Sequence, residues 1–351
     1  MRPFACAGYV TNIIFSVIDK GEKLFVVYFL RLVIEIIEHT FFDLYKIKSR
    51  LRILKSSSQY ISGMDAVMKS DQSLLRKHVE FLTTLRPFRN YQNVESLGKV
   101  CQYLANEFHN LRLQVSDQPF IANSVEFKNI IGTYNSSKKR RLIVGAHYDV
   151  CGDQPGADDN ASAVSGLLET ARMVAEAQPD IDYRIDFVAY CLEEPPFYDT
   201  NMMGSYHHAE SISSIKSDVI GLINFEMIGY YHNGPQPYPD PRLAQIYPAT
   251  ADFIAVVGKH DYHEFNQKVY ELMRVDAEIN VQMIDNYLIE SLAGMSDQRS
   301  YWRFGIPALM INDTSFIRNP NYHRISDDLD TLSFGHMAAT VSAVYKAIVG
   351  F

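Results

Sequence analysis

From about residue 70 onward, apolar residues recur at helical spacing. Leu75, Val79, Leu82 and Leu85 share one face, as do Val94, Leu97, Cys101, Leu104 and Phe108, and two helices are predicted there. The stretch 120–134 is rich in Phe, Ile and Val and ends in Asn135-Ser136-Ser137, which predicts one or two strands and a turn. Residues 142–146 form a short apolar run of the buried-strand kind. Val164, Leu167, Leu168, Ala171, Val174 and Ala175 then mark a strongly periodic helix, and Tyr183, Ile185, Phe187, Ala189 and Cys191 alternate at strand spacing. Further strands are expected at 219–225, 253–257 and 307–311, with helices at 265–273 and 337–349. Strands alternating with helices predict an α/β domain: a central, mostly parallel mixed β-sheet with helices on both faces.

The first sixty residues follow a different pattern. Residues 3–18 carry no charge before Asp19, but Thr11, Asn12 and Ser16 interrupt them. Residues 24–30 are strongly apolar, after which Arg31, Glu35, Glu38 and Asp43 intrude. A membrane-spanning helix wants about 20 predominantly apolar residues, and neither stretch reaches that uninterrupted. Ala5-Cys6-Ala7 resembles a cleavage site but precedes the apolar run, the reverse of a signal peptide. The expected organisation is an apolar, amphipathic helical appendage over 1–66 and an α/β domain over 67–351. A start assigned too early, with Met64 the true one, fits as well. Membrane association through residues 1–60 is the less favoured alternative. The expected location is cytoplasmic, with membrane-anchored or exported forms as alternatives.

Composition narrows the function classes. The net charge is −8 and the 33 basic residues are scattered, whereas a nucleic-acid binder concentrates a basic stripe; no nucleic-acid partner is expected. The one basic run, Lys138-Lys139-Arg140-Arg141, falls in a predicted turn and reads as a solvated loop. Cys6, Cys101, Cys151 and Cys191 form no Cys-x-x-Cys pair, which excludes a cysteine-rich zinc site.

The chemistry gathers at strand ends. The run 142–146 leads into His147 and Asp149, the strand ending near 192 leads into Glu193 and Glu194, and the strand 219–225 leads into Glu226. In open α/β sheets ligands bind outside the carboxyl ends of the strands, so three distant segments would deliver imidazole and carboxylates to one edge. Pro155-Gly156-Ala157-Asp158-Asp159-Asn160 reads as a turn able to carry Asp158 over the same edge. Carboxylates this close raise each other's pKa unless compensated, and a divalent cation compensates them. Histidine with Asp and Glu, and no thiolate, suits a catalytic zinc site; manganese and cobalt accept the same ligands.

Five segments in this chain order resemble the M28 family of zinc peptidases. They are Gly145-Ala146-His147-Tyr148-Asp149, Gly156-Ala157-Asp158-Asp159-Asn160-Ala161-Ser162, Glu193-Glu194, Asn224-Phe225-Glu226-Met227-Ile228-Gly229 and Tyr322-His323. The resemblance covers about residues 70–351 and implies an M28-type peptidase domain over 67–351 with a zinc exopeptidase-like fold. It implies two zinc ions, with Asp158 bridging them, His147 and Glu226 completing one shell, and Glu194 and His323 the other. Glu193 would be the general base, and Asp149 would orient His147. The chain departs from the family pattern in two places. Glu226 stands where the family usually has Asp, and Ser296-Asp297-Gln298 stands where it often has Ser-Asp-His, a change expected to alter pocket polarity.

The activity this resemblance implies is removal of N-terminal residues from peptides with a free N-terminus. A free α-amine would sit beside the carboxylates, which favours an aminopeptidase over an endopeptidase. Two rivals use the same scaffold: a single-zinc glutaminyl cyclase, and a binding module that has lost its metals. Tyr230, Tyr231, Tyr287, Tyr301, Trp302 and Phe304 are candidate pocket residues, with core packing the plainer reading, and Tyr322 is the better candidate beside the metals. His207-His208 is expected to be structural, because adjacent helical residues do not face one site. His260 and His263 have helical i, i+3 spacing with no accompanying carboxylate motif and read as surface histidines.

Overall fold

The computed structural model describes residues 68–351; the expectations for the N-terminal appendage lie outside the described residues. The first amphipathic pattern forms α1 (Gln72–Thr84), capped by Asp71, whose carboxylate accepts from the Ser73 amide at 2.8 Å. The second forms α2 (Val94–Asn110). The Phe/Ile/Val-rich stretch is a hairpin of β1 (Gln114–Ala122) and β2 (Val125–Tyr134). Its two-residue turn, Asn123-Ser124, has both φ angles positive, the turn geometry that matches strand twist.

After the hairpin come β3 (Arg141–His147), α3 (Ala163–Ala177), β4 (Arg184–Tyr190), α4 (Gly204–Ile212) and β5 (Val219–Phe225). A small hairpin, β6 (His232–Pro235) with β7 (Thr250–Ala251), lies outside the main sheet. Then follow β8 (Phe253–Gly258), α5 (His263–Met273), β9 (Asn280–Ile284), α6 (Glu290–Ala293), α7 (Gln298–Arg303), β10 (Ala308–Asn312), α8 (Ser315–Arg318) and α9 (Phe334–Val349).

Eight strands form one mixed sheet in the order β1-β2-β4-β3-β5-β10-β8-β9. The central four, β4-β3-β5-β10, are mutually parallel. The outer strand β2 pairs antiparallel with β4, and β8 pairs antiparallel with β10. Strand alternation sends side chains to two helical layers. Leu142, Val144 and Ala146 of β3, Ile223 and Phe225 of β5, and Leu309 and Ile311 of β10 join one core with α1, α2, α3, α5 and α9. Ile143, Val188, Leu222 and Ala308 face the other way and pack with Ala209 and Ile212 of α4 and Tyr301 of α7. Burial on both faces explains why β3 and β5 are nearly continuous apolar runs. A third cluster, built on Leu243, Phe253, Ala255, Ile284 and Met310, underlies the outer part of the second face.

Candidate metal centre

Because the four central strands run parallel, their carboxyl ends share one edge. β3 ends in His147 there. β4 stops at Tyr190, and Leu192 takes a left-handed backbone with φ of 66°. That turn lets two successive residues, Glu193 and Glu194, approach the same edge. β5 stops at Phe225, and Glu226 follows; its amide donates to the Ile311 carbonyl of β10 at 3.0 Å. His323 arrives from the loop after α8, on a backbone with φ of 56°.

The turn between β3 and α3 supplies the remaining carboxylate, which is Asp159 and not Asp158. His147 Nε2 lies 3.5 Å from Asp159 Oδ1, and His323 Nε2 lies 3.1 Å from Asp159 Oδ2. Asp158 turns away: its carboxylate accepts from the Gly229 amide at 2.8 Å and from Asn319 Nδ2 at 2.7 Å. The reason is local backbone. Residues 157–162 form a wide helical turn in which Asp159 is extended, with φ of −103° and ψ of 89°, so neighbouring side chains diverge. The expected bridging role of Asp158 is therefore corrected. Gly156 permits the turn: its φ is 59°, and a Cβ there would meet the Asp159 carbonyl oxygen at 2.3 Å.

Two residues that the sequence did not single out hold this turn. Arg89, fully buried, donates to the carbonyls of Tyr148, Leu82, Pro155 and Gly156. Asp327 accepts from the amides of Asp158 at 2.9 Å and Asp159 at 3.0 Å. Burial presses the Arg89 pKa down to about 10, while burial, followed by the nearby Asp158, lifts that of Asp327 to about 8. Neither stands in a distinctive local pattern. Arg89 follows Pro87-Phe88, and Asp327 is one acid in a run with Asp328 and Asp330.

Around Asp159 the donors fall into two sets. His147 Nε2 is 3.3 Å from Glu226 Oε2, and His323 Nε2 is 3.2 Å from Glu194 Oε2. Ser296 Oγ donates to Glu226 Oε2 at 2.6 Å and aims it. Asp149 lies 3.5 Å from His147 Nδ1, and its two oxygens accept from the amides of Glu193 at 3.2 Å and Glu194 at 3.1 Å. It thus fixes the strand end as well as facing the histidine. Glu193 Oε2 is 3.8 Å from His147 Nε2.

Asp159, Glu193, Glu194 and Glu226 stand between His147 and His323, and all four carboxylates are buried, as is Asp149 behind them. Burial, then Asp159, raises the Glu194 carboxyl to about 8. Burial is the largest influence on Glu193 and Glu226 too, and both sit above the usual range. Burial alone would lower His147, but Glu226 and Glu193 outweigh it and raise it well above normal. Burial likewise opposes protonation of His323, yet Asp159 and Glu194 raise it to about 10. The excess of buried carboxylate calls for positive charge. Glu194 Oε1 has no hydrogen-bond partner among the described residues, and His323 Nε2 is aligned with neither of its acid neighbours. Cys151 Sγ lies within 4.8 Å of donor atoms of Glu194 and His323, but burial, followed by Glu194, pushes its thiol up to about 12 and keeps it protonated. Imidazole and carboxylate oxygen are therefore the donors, a set that fits zinc.

Beside this centre lies a cavity of about 250 Å³. Its polar end is Asp159, Glu193, Glu194, Glu226 and His323, and its wall is apolar, with Tyr238, Leu243, Val257, Ile284, Ile289 and Met310 among the lining residues. Tyr322 lines it and stacks on His323 with ring centroids 3.7 Å apart. The six other aromatic candidates do not line it. Tyr301 is buried behind the sheet, bonded to Tyr190 and His208; Trp302 donates to the Ala308 carbonyl; Tyr287 is exposed. Gln298 is buried and bonded to the Ala293 carbonyl, so it backs the site without contributing to pocket polarity. His208 and His207 are structural as expected, His207 stacking on Phe120.

Comparison with known proteins bears on the family and the fold. An uncharacterised protein, YfbL, of Escherichia coli (strain K12) is 37% identical over 281 residues, which are 77% of this chain and 85% of that one. A probable leucine aminopeptidase of Arthroderma otae is 26% identical over 80% of this chain and 72% of its own. The LapA aminopeptidase of Legionella pneumophila has a similar fold, with a TM-score of 0.63 at 21% identity over 80% of this chain and 71% of that one. A glutaminyl cyclase of Bacteroides thetaiotaomicron does so with a TM-score of 0.60 at 20% identity over 81% and 99%. Residues 129–348, from β2 to the last turns of α9, match peptidase family M28. With its strand-end donors, zinc exopeptidase-like sheet and zinc-compatible chemistry, the chain belongs to peptidase family M28 and is a metal-dependent hydrolase of peptide bonds.

Proposed function

We propose that this chain is a two-zinc aminopeptidase that releases apolar N-terminal residues from peptides. The observation that supports this most is Asp159, set between His147 with Glu226 on one side and His323 with Glu194 on the other, at the mouth of an apolar cavity. In this reading His147 and Glu226 hold one ion, His323 and Glu194 hold the second, and Asp159 serves both. Zinc, when bound, supplies a Lewis acid that polarises a carbonyl and acidifies water. Glu193, buried beside His147 but assigned to neither set, takes a proton from the attacking water and returns it to the leaving amine. Asp149 keeps Glu193 and Glu194 in register through their amides. The acid cluster attracts a cationic α-amine, which places the first side chain against the apolar wall and favours exopeptidase over endopeptidase action.

A panel of aminoacyl chromogenic amides, assayed with and without a strong chelator, tests the reading. Chelator-sensitive cleavage is expected, fastest for Leu, Met and Phe amides and slow for Asp and Lys amides, with activity restored by zinc or cobalt. The fold is also found in a glutaminyl cyclase, so the second reading is cyclisation. Release of pyroglutamate from an N-terminal Gln peptide, with one metal per chain and no amide cleavage, would replace the first reading by the second.

A further inference from the structure

Among the described residues, a second group of metal-type donors lies away from the centre described above. β8 and β9 are parallel neighbours, with Val257 paired to Ile284. They therefore release their chains at the same end, β8 into Lys259 and His260, and β9 into Asp285. Because β8 runs antiparallel to β10, this is the opposite end of the sheet from His147, Glu193 and Glu226. A single helical turn, His260–Tyr262, then leads into α5 at His263. One ring nitrogen from each histidine and one oxygen of Asp285 lie within 4.8 Å of one another.

From this we propose that His260, His263 and Asp285 bind a divalent transition ion, Zn²⁺ or one of its imidazole-preferring neighbours Ni²⁺ and Cu²⁺, at a site separate from the hydrolytic one. Two imidazoles and a carboxylate are a donor set these ions favour. Bonds of about 2.0–2.2 Å require the donors to draw together, and His260, exposed and with Nδ1 3.2 Å from the Asp285 carbonyl oxygen, is the one free to turn. The third donor is already positioned. Asp285 is 8% exposed, and its Oδ2 accepts from His263 Nδ1 at 2.6 Å and from Asn266 Nδ2 at 3.4 Å. Asn266 is fully buried, and the same nitrogen donates to the Lys259 carbonyl at 3.0 Å, which ties the carboxylate to the turn carrying the histidines. Gly258 makes room for it: a Cβ there would come within 2.4 Å of Asn266 Oδ1.

Occupancy would reach the pocket through the chain. The residues after Asp285 form the turn Tyr287–Ile289 and α6, and Ile289 and Leu292 line the cavity. An ion that binds Asp285 to the start of α5 restrains the near end of that wall. The site thus offers a stabilising metal in addition to the hydrolytic ones.

The test is zinc content after saturation with Zn²⁺ and desalting, measured by mass spectrometry on the full-length chain, His260→Ala and His263→Gln. Wild type should retain one equivalent more than either variant, and its melting temperature should rise with added Zn²⁺ more than theirs. Hydrolysis of a good aminoacyl amide at saturating substrate should be unchanged in both, which separates loss of this site from loss of the hydrolytic one. His260 is exposed, so its replacement spares the core and decides the question even if His263→Gln folds poorly. Equal zinc content in wild type and His260→Ala, with equal melting temperatures in zinc, would overturn the proposal.

Discussion

The two ends of the sheet both bring imidazole and carboxylate together, but under opposite solvation. At the carboxyl ends of β3, β4 and β5, four carboxylates and His147 are buried, and only His323 has appreciable exposure. At the carboxyl ends of β8 and β9, His260 is exposed, His263 half-buried, and Asp285 alone is buried. A buried surplus of carboxylate has no water to stabilise it, so its charge must be matched by cations or removed by protonation. A single buried carboxylate with a histidine hydrogen bond is already satisfied. The first end therefore depends on a compensating cation, whereas the proposed site at the second end is satisfied with or without one.

Variants at the buried end should have large effects. Glu193→Gln should lower kcat by at least ~10²-fold, the scale of a positioned acid–base group, while zinc content stays at the wild-type level. Glu194→Gln should lower zinc affinity itself, because it removes a charged donor. If Glu193→Gln loses zinc while Glu194→Gln keeps both zinc and rate, the two roles are reversed.

A smaller effect is expected one layer out. Arg89→Met leaves the carbonyls of Pro155 and Gly156 without their buried donor and should lower stability by about 3 kcal/mol, read from denaturant midpoints with zinc held in excess. An unchanged midpoint would show that Asp327 alone suffices to hold the 157–162 turn. The smallest effect is expected from deleting residues 1–63, because every residue assigned to the hydrolytic site lies within 68–351. The shortened chain should keep kcat/KM within about twofold, a range small against the tenfold that each 1.4 kcal/mol represents. Loss of soluble protein on deletion would move the domain boundary toward the N-terminus.

The strand-end donors were legible in the sequence because each is local. Apolar runs stop, and His147, Glu193-Glu194 and Glu226 follow at once. The choice between Asp158 and Asp159 was not legible. It depends on the dihedrals of one turn, set by Arg89 and Asp327 from segments about 70 residues before and 168 residues after Asp159. The pocket wall was missed for a related reason. Its aliphatic residues come from β8, β9 and β10 and from the segment 236–247, which meet only in the folded chain, whereas the conspicuous aromatics at 301–304 pack behind the sheet. Strand β9 escaped notice because, of its five residues, only Val281 and Ile284 are buried. The histidine pair at 260 and 263 lacked a visible carboxylate, since Asp285 joins it only through the pairing of β8 with β9.

Asp159, and not its neighbour Asp158, lies against both donor sets. The most direct test is the zinc content of purified Asp159→Asn, measured alongside its kcat on a leucine amide. Loss of bound zinc from the buried centre and a fall in kcat of more than ~10³-fold are expected, because one substitution weakens both sets at once. An Asp159→Asn enzyme that keeps the wild-type zinc content and turns over at a wild-type rate would contradict the shared role of Asp159.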